Sequence, residues 1–169
     1  TFEDFVTTVD AFKAIEKGEA LINAGEYDKA IKALTGAIKI YDHCSSNEIN
    51  LGSGYKNLGQ GYAKIIEDVS KVIANDPNKI DAYFLRGVAF QKLDKYSEAI
   101  ADYTKVIELD GSYIQPYNNR AVCYNKLKDT ANMCLDLKKA CDLGDCRGYD
   151  YAKKAGKCGD NVADSKSRK

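Results

Sequence analysis

Apolar positions along this chain fall at helical spacing in paired segments, each pair folding back at a glycine or polar break. Phe12, Ile15, Leu21 and Ile22 keep a period of about 3.6, and Ala30, Ile31, Leu34, Ala37 and Ile38 resume it beyond Ala24-Gly25-Glu26. Gly25 supplies the left-handed residue that ends a helix, so a hairpin is predicted from about Ala11 to Tyr41. Asp42 to Asn50 is polar and reads as a connection. A second hairpin is predicted from Leu51-Gly52 and Tyr55, breaking at Leu58-Gly59-Gln60-Gly61 and resuming at Tyr62. It stops at Asn75-Asp76-Pro77, because proline cannot continue the hydrogen-bond ladder. The third hairpin, Ile80 to Asp110, is the cleanest, with Tyr83, Phe90, Leu93, Tyr96, Ile100, Tyr103, Val106 and Ile107 in phase. The fourth, Ile114 to Leu143, uses Tyr117, Tyr124, Leu127, Leu135, Leu137 and Ala140. Gly144-Asp145 breaks it, Cys146 to Lys154 reads as a short final helix, and the residues from Gly156 are polar apart from Cys158. Residues 11–155 are therefore expected to be helical, with turns near 25, 59, 94 and 128 and no sheet.

Three markers recur across these hairpins at intervals of 34 or 35 residues. An aromatic opens each second helix at Tyr27, Tyr62 and Tyr96, with Thr130 in the fourth copy. A small residue sits in each first helix at Gly18, Gly52, Gly87 and Ala121. A third marker runs Ala30, Ile65, Ala99 and Met133. A shared period of this size indicates stacked helical repeats, in which each hairpin buries its apolar face only against its neighbours. The small residues let two helix axes approach, and the aromatics fill the space between hairpins.

The third copy, Tyr83-x2-Arg86-Gly87-x2-Phe90 followed by Tyr96-x2-Ala99-x3-Tyr103-x2-Val106, closely resembles the tetratricopeptide repeat. Asp76-Pro77 matches that family's terminal proline, and Leu51-Gly52-x2-Tyr55 matches its Leu-Gly-aromatic core. Departures are Ala14 and Glu48 at the leading aromatic, Met133 at the small alanine, Thr130 at the tyrosine and Gly111 at the proline. The resemblance implies an all-α, right-handed superhelical array of helix-turn-helix hairpins with a C-terminal capping helix. The expected organisation is a lead-in at 1–10, and four repeats at about 11–44, 45–78, 80–113 and 114–147. A capping helix at 148–156 and a polar tail at 157–169 complete it. Tyr149 and Ala152 would face the fourth hairpin, and Lys153 and Lys154 would face water.

Such arrays bind protein or peptide along a groove lined by their first helices. Family geometry assigns that lining to Ile15, Glu19 and Ile22, then Ile49, Asn50 and Lys56. It continues with Asp81, Phe84, Val88 and Gln91, then Gln115, Asn118, Asn119, Val122 and Asn125. Apolar residues at Ile49, Phe84, Val88 and Val122 suit anchors, and the amides suit hydrogen bonds to a peptide backbone. The competing reading is a wall packed against the chain's own N-terminal segment or an oligomer mate. Chaperone-binding members hold a terminal carboxylate with Lys, Asn, Asn, Lys and Arg. Here those places hold Ile15, Glu19, Asn50, Asp81 and Leu85, so that clamp is absent.

Charge narrows the partners. Twenty-five basic and 25 acidic side chains cancel, whereas duplex binding needs clustered positive charge, so nucleic acid is not an expected partner. No apolar run approaches the ~18 residues of a membrane span. Thr1 to Asp10 carries acids, no apolar signal core and no initial methionine. Both a cytoplasmic chain and an exported one with its signal segment removed stay open. Glycine-rich phosphate loops and paired catalytic acids are missing, so no cofactor and no enzymatic activity are expected. His43-Cys44 reads as a loop pair, since adjacent residues rarely aim at one point.

Six cysteines are more than a helical cytoplasmic protein usually carries: Cys44, Cys123, Cys134, Cys141, Cys146 and Cys158. Cys134, Cys141, Cys146 and Cys158 lack the short C-x2-C knuckles of a zinc site, so no metal is expected there. Disulfides or buried thiols remain, and a thiol, redox or metal-linked accessory role is the alternative function. If the last helix returns antiparallel to the one before, the start of the first and the end of the second meet. That places Cys134 beside Cys158. Cys146 and Cys158 are separated by ~18 Å of helix, whereas a bridge needs Cα atoms within about 7 Å.

Overall fold

The computed structural model describes residues 2–46 and 54–159, with side chains assigned at 9–43 and 59–159. Among the described residues it contains eight α-helices and no strand. They are α1 Phe2–Asn23, α2 Tyr27–Ser46, α3 Gly54–Asn75, α4 Ile80–Lys92, α5 Tyr96–Leu109, α6 Ile114–Lys126, α7 Thr130–Asp142 and α8 Arg147–Lys154. The chain forms two compact units, Thr1–Lys95 and Tyr96–Lys169.

Helix ends follow one backbone rule. Gly25, Asp94, Lys128, Gly144 and Gly156 all have positive φ, at 75°, 56°, 62°, 112° and 68°. Beyond each, an N–H reaches back five residues to a helix carbonyl. Examples are Glu26 to Leu21 at 2.8 Å, Lys95 to Phe90 at 3.0 Å and Asp129 to Tyr124 at 2.9 Å. This is the paired carbonyl-satisfying turn that left-handed residues permit. Glycine adopts it freely, whereas Asp94 and Lys128 adopt it against their own sterics.

In the first unit α1 packs on α2 and α3, and α3 packs on α4. Its core joins Ala11, Ile15 and Ile22 to Ala30, Leu34, Ala37 and Tyr41, then to Ile65, Val69 and Val72, and to Ala82, Leu85 and Ala89. The expected turn near 59 is not there: α3 runs unbroken from Gly54 to Asn75, and Tyr62 lies inside it. The glycines that read as a break sit within the helix. A Cβ on Gly61 would fall 2.6 Å from Tyr41 ring carbons, so this glycine admits the ring of a fully buried tyrosine. The Tyr41 and Tyr62 rings pack tilted, at 58° between planes, with centroids 5.4 Å apart. Gly18 does the same for Leu34, whose Cγ would lie 2.8 Å from an added Cβ. The connection expected from Asp42 begins later, because α2 continues to Ser46 and takes His43 and Cys44 into the helix.

In the second unit α5 packs on α6, α6 on α7 and α7 on α8. Ala121, Met133, Cys134, Ala152 and Cys158 form a buried cluster with Tyr124, Leu137 and Tyr149 against it. Tyr149 and Ala152 thus turn inward on α8, while Lys153 and Lys154 are exposed. Three expected core residues, Phe12, Leu127 and Leu135, are instead exposed at 41%, 48% and 39%.

One polar joint occurs in both units. In the first, Arg86 on α4 donates to Ser70 Oγ on α3 at 3.1 Å and lies over the Tyr83 and Phe90 rings at 5.7 and 5.9 Å. In the second, Arg120 on α6 donates to Thr104 Oγ1 on α5 at 2.7 Å and lies over the Tyr117 and Tyr124 rings, each at 5.9 Å. Arg120 also grips the buried Asp136 carboxylate with two bonds, 2.8 and 2.7 Å. Burial pushes the Asp136 carboxyl up, and the guanidinium only partly offsets that. The turns entering these helices match as well. Asp76 Oδ1 accepts the Asn78 N–H at 3.1 Å, and Asp110 Oδ1 accepts the Ser112 N–H at 2.9 Å.

Candidate functional site

Helix α6 carries five of the sequence-derived groove residues at the i, i+3, i+4, i+7 spacing of one helix face: Gln115, Asn118, Asn119, Val122 and Asn125. Two adjoining hollows lie along that face. The first, of ≈ 550 Å³, is lined by Ile114, Gln115, Asn118 and Asn119 from α6, and by Gly144, Asp145 and Arg147 across from it. The second, of ≈ 190 Å³, is apolar, with Ala121, Val122, Met133, Leu137, Gly148, Tyr151 and Ala152 around it and Asn125 and Lys157 at its rim.

The polar hollow is pre-organised. Asn118 Nδ2 donates to Asp145 Oδ2 at 2.9 Å, and the Arg147 guanidinium donates to both Asp145 oxygens at 2.8 and 3.0 Å. These bonds, Arg147 foremost, hold the Asp145 carboxyl down at about 2, so it stays ionised and keeps both donors. Asn119 Nδ2 donates to Tyr103 Oη at 3.5 Å, and burial raises the Tyr103 phenol. Gln115 is exposed. In the apolar hollow, Val122 is 45% and Tyr151 74% exposed, and Lys157 Nζ donates to Asn125 Oδ1 at 3.2 Å across the rim. Gly148 permits this arrangement, because a Cβ there would lie 2.7 Å from Leu137 Cδ2.

The other candidates are distributed differently. Ile15 is 3% exposed and belongs to the core, so it backs the wall instead of lining it. Glu19 is ion-paired with Lys64 of α3 at 3.1 Å. The burial of Ile15 follows from α3 packing on α1, whereas the Glu19 side chain stays 41% exposed. On α4, Asp81 is exposed, and Phe84, Val88 and Gln91 are half-buried. Val88 packs against the first unit's core. Ile49 and Asn50 lie outside the described residues.

The C-terminal cysteines pair. Cys134 is bridged to Cys158 with Cα atoms 5.6 Å apart, and Cys141 to Cys146 across the α7–α8 turn. The second pairing went unread in the sequence, although Gly144-Asp145 between the two cysteines marks the turn that brings them together. Cys123 is a buried thiol, and burial pushes it up to about 11. Asp145, Arg147 and Tyr151 were likewise missed, since their place opposite α6 depends on the turn after α7.

Family comparison agrees with the repeat geometry. Residues 15–44 and 80–113 each match a family model described as tetratricopeptide repeat, covering α1–α2 and the α4–α5 segment. The chain carries tetratricopeptide repeats at these two segments. Comparison with curated protein sequences gives no match. Among solved structures, the chain is similar to YrrB, described as a TPR protein with an unusual peptide-binding site. The two share 19% identity over 85% of this chain and 74% of that one, at a TM-score of 0.50. Also similar is the second TPR domain of human RPAP3 in complex with an HSP70 peptide, at 19% identity, 90% and 98% coverage and a TM-score of 0.47. MamA AMB-1 follows at 19% identity, 88% and 84% coverage and a TM-score of 0.49. No helix among the described residues is long and apolar enough to cross a membrane.

Proposed function

We propose that this chain is a non-catalytic protein-binding scaffold and that it holds an extended peptide along α6 and α8 of the second unit. The observation that carries this is the pairing of hollows on one helix face. One has amide donors and acceptors at Gln115, Asn118 and Asn119 for a peptide backbone. The other has exposed Val122 and Tyr151 flanking an apolar socket for a side chain. Aromatic anchors in such sockets carry most of the affinity in peptide grooves, with amides fixing register. Repeats of a peptide-binding family support the reading. The candidates on α4, namely Asp81, Phe84, Val88 and Gln91, belong to the first unit and are not needed for it. A chaperone-type terminal carboxylate is not the expected ligand, since Ile15, Asp81 and Leu85 occupy its three cationic places and Glu19 one of its amide places.

The metal-linked alternative loses its ligands, because the four C-terminal cysteines are joined in pairs. Two bridges favour an exported chain over a cytoplasmic one. Panning a random 12-residue peptide library on the full chain, then titrating an enriched peptide calorimetrically, tests the site. Tyr151→Ala and Gln115→Ala together should weaken binding at least tenfold, about 1.4 kcal/mol. Their exposure means the fold should survive. Unchanged affinity refutes this placement of the site, and self-association abolished by the same pair would assign the face to a second copy of the chain.

A further inference from the structure

The far wall of the polar hollow depends on one bridge. Asp145 and Arg147 stand in and just after the turn that Cys141–Cys146 spans. Cys146 is the N-cap residue of α8 and makes no side-chain cap bond. The first turn is reached instead by Asp145 Oδ1, at 3.4 Å from the Arg147 N–H. At eight residues α8 is too short to hold itself in water, where isolated helices under ~12–15 residues are marginal. Its two ends are tied down by different bridges, Cys141–Cys146 before it and Cys134–Cys158 after it. The two differ in access. Cys134 and Cys158 are 3% and 4% exposed, whereas Cys141 and Cys146 are both half-buried.

We infer that Cys141–Cys146 is an oxidation-controlled latch on the peptide site, closed as the disulfide and released by a dithiol. This rests on the proposed peptide-binding face. A dithiol's thiolate attacks one sulfur, breaking the Cys141–Cys146 bond and forming a mixed disulfide. The second thiol then resolves it. Two electrons and two protons end on Cys141 and Cys146 as thiols, and the dithiol leaves as its own disulfide. Access favours this bridge over the buried one. The end of α7 is kept after reduction, because the N–H groups of Gly144 and Asp145 still bond to Cys141 and Ala140 carbonyls, each at 2.9 Å. What is lost is the tie on the start of α8, and with it the fixed placement of Asp145 and Arg147 opposite Asn118.

The test uses the full oxidised chain and the peptide enriched by panning. Limiting dithiothreitol followed by iodoacetamide and mass mapping should label Cys141 and Cys146 before Cys134 and Cys158. That reduced form and Cys141→Ser/Cys146→Ser should each bind the peptide at least tenfold more weakly. Amide exchange over residues 147–154 should quicken at least tenfold, while far-UV circular dichroism changes little. Asp145→Ala should weaken binding in the oxidised chain and leave little further loss on reduction. If the peptide binds equally in oxidised and reduced chains, or exchange in α8 is unchanged, the latch is wrong while the peptide site stands. If no peptide is enriched, the peptide site fails and the latch falls with it.

Discussion

Two glycines on the same helix should respond in opposite directions to the same substitution. Gly59 and Gly61 lie within α3, and a Cβ at Gly59 would meet nothing within 4 Å among the described residues. Gly59→Ala therefore removes only glycine's helix penalty, stabilising by about 0.8–1 kcal/mol. At Gly61 the added carbon would lie 2.6 Å from Tyr41 ring carbons. Tyr41 is fully buried, and its rigid ring packs tilted against Tyr62, so it yields less readily than a flexible side chain. Overpacking of this kind costs about 1–3 kcal/mol, which outweighs the helix gain in all but its mildest cases. Thermal melts followed at 222 nm should show Gly59→Ala raised by about 2–4 °C, since 1 kcal/mol is worth that much in a chain this size. Gly61→Ala should be lowered by a similar amount or more. If Gly59→Ala destabilises, the residue occupies a turn with a left-handed backbone, and the continuous α3 is wrong.

Two further expectations concern smaller groups. Lys128 takes φ 62° at the α6–α7 turn, so Lys128→Gly should stabilise, relief of roughly 1–2 kcal/mol of steric cost exceeding the ~0.4–1 kcal/mol of added unfolded-state freedom. A lower melting temperature would show that the turn is not strained. Asp145 has a depressed folded value, so its contribution is present above the ordinary carboxylate range and is lost only as pH falls through about 2. Carboxyl carbon NMR titration should place its midpoint there, and Arg147→Ala should move it upward. A wild-type midpoint near the usual ~3.9 would refute the Arg147–Asp145–Asn118 arrangement.

Much of the fold was legible because helical periodicity and turn chemistry coincide at most places. At Gly25, the glycine and the change of apolar phase mark one turn. At Asp94 and Lys128 the turn was found from repeat spacing alone, since neither residue announces a left-handed backbone. The failure at Gly59 and Gly61 has a specific cause: glycine serves both to reverse a chain and to admit a neighbouring ring. Only the position of Tyr41 separates the two, and that is tertiary information. Of the site, the α6 face could be assigned from the family geometry that the resemblance implies, because its five residues share one helix. Its opposite wall could not, because Asp145, Arg147 and Tyr151 are set by a turn and a bridge. Ile15 was misplaced for the converse reason, a packed helix covering a face that the repeat pattern leaves bare.

The arginine joints bear on where this chain can be lengthened. In each, the hydroxyl and the guanidinium are 16 residues apart, with one tight aspartate-led turn between them. A residue added at 76–79 or 110–113 would displace the arginine from its hydroxyl. The Leu127–Asp129 turn is spanned in the same way by the Arg120–Asp136 pair, so a residue added there would pull the guanidinium off a buried carboxylate. These three turns are therefore fixed in length by hydrogen bonding, although their sequences are mostly exposed and polar.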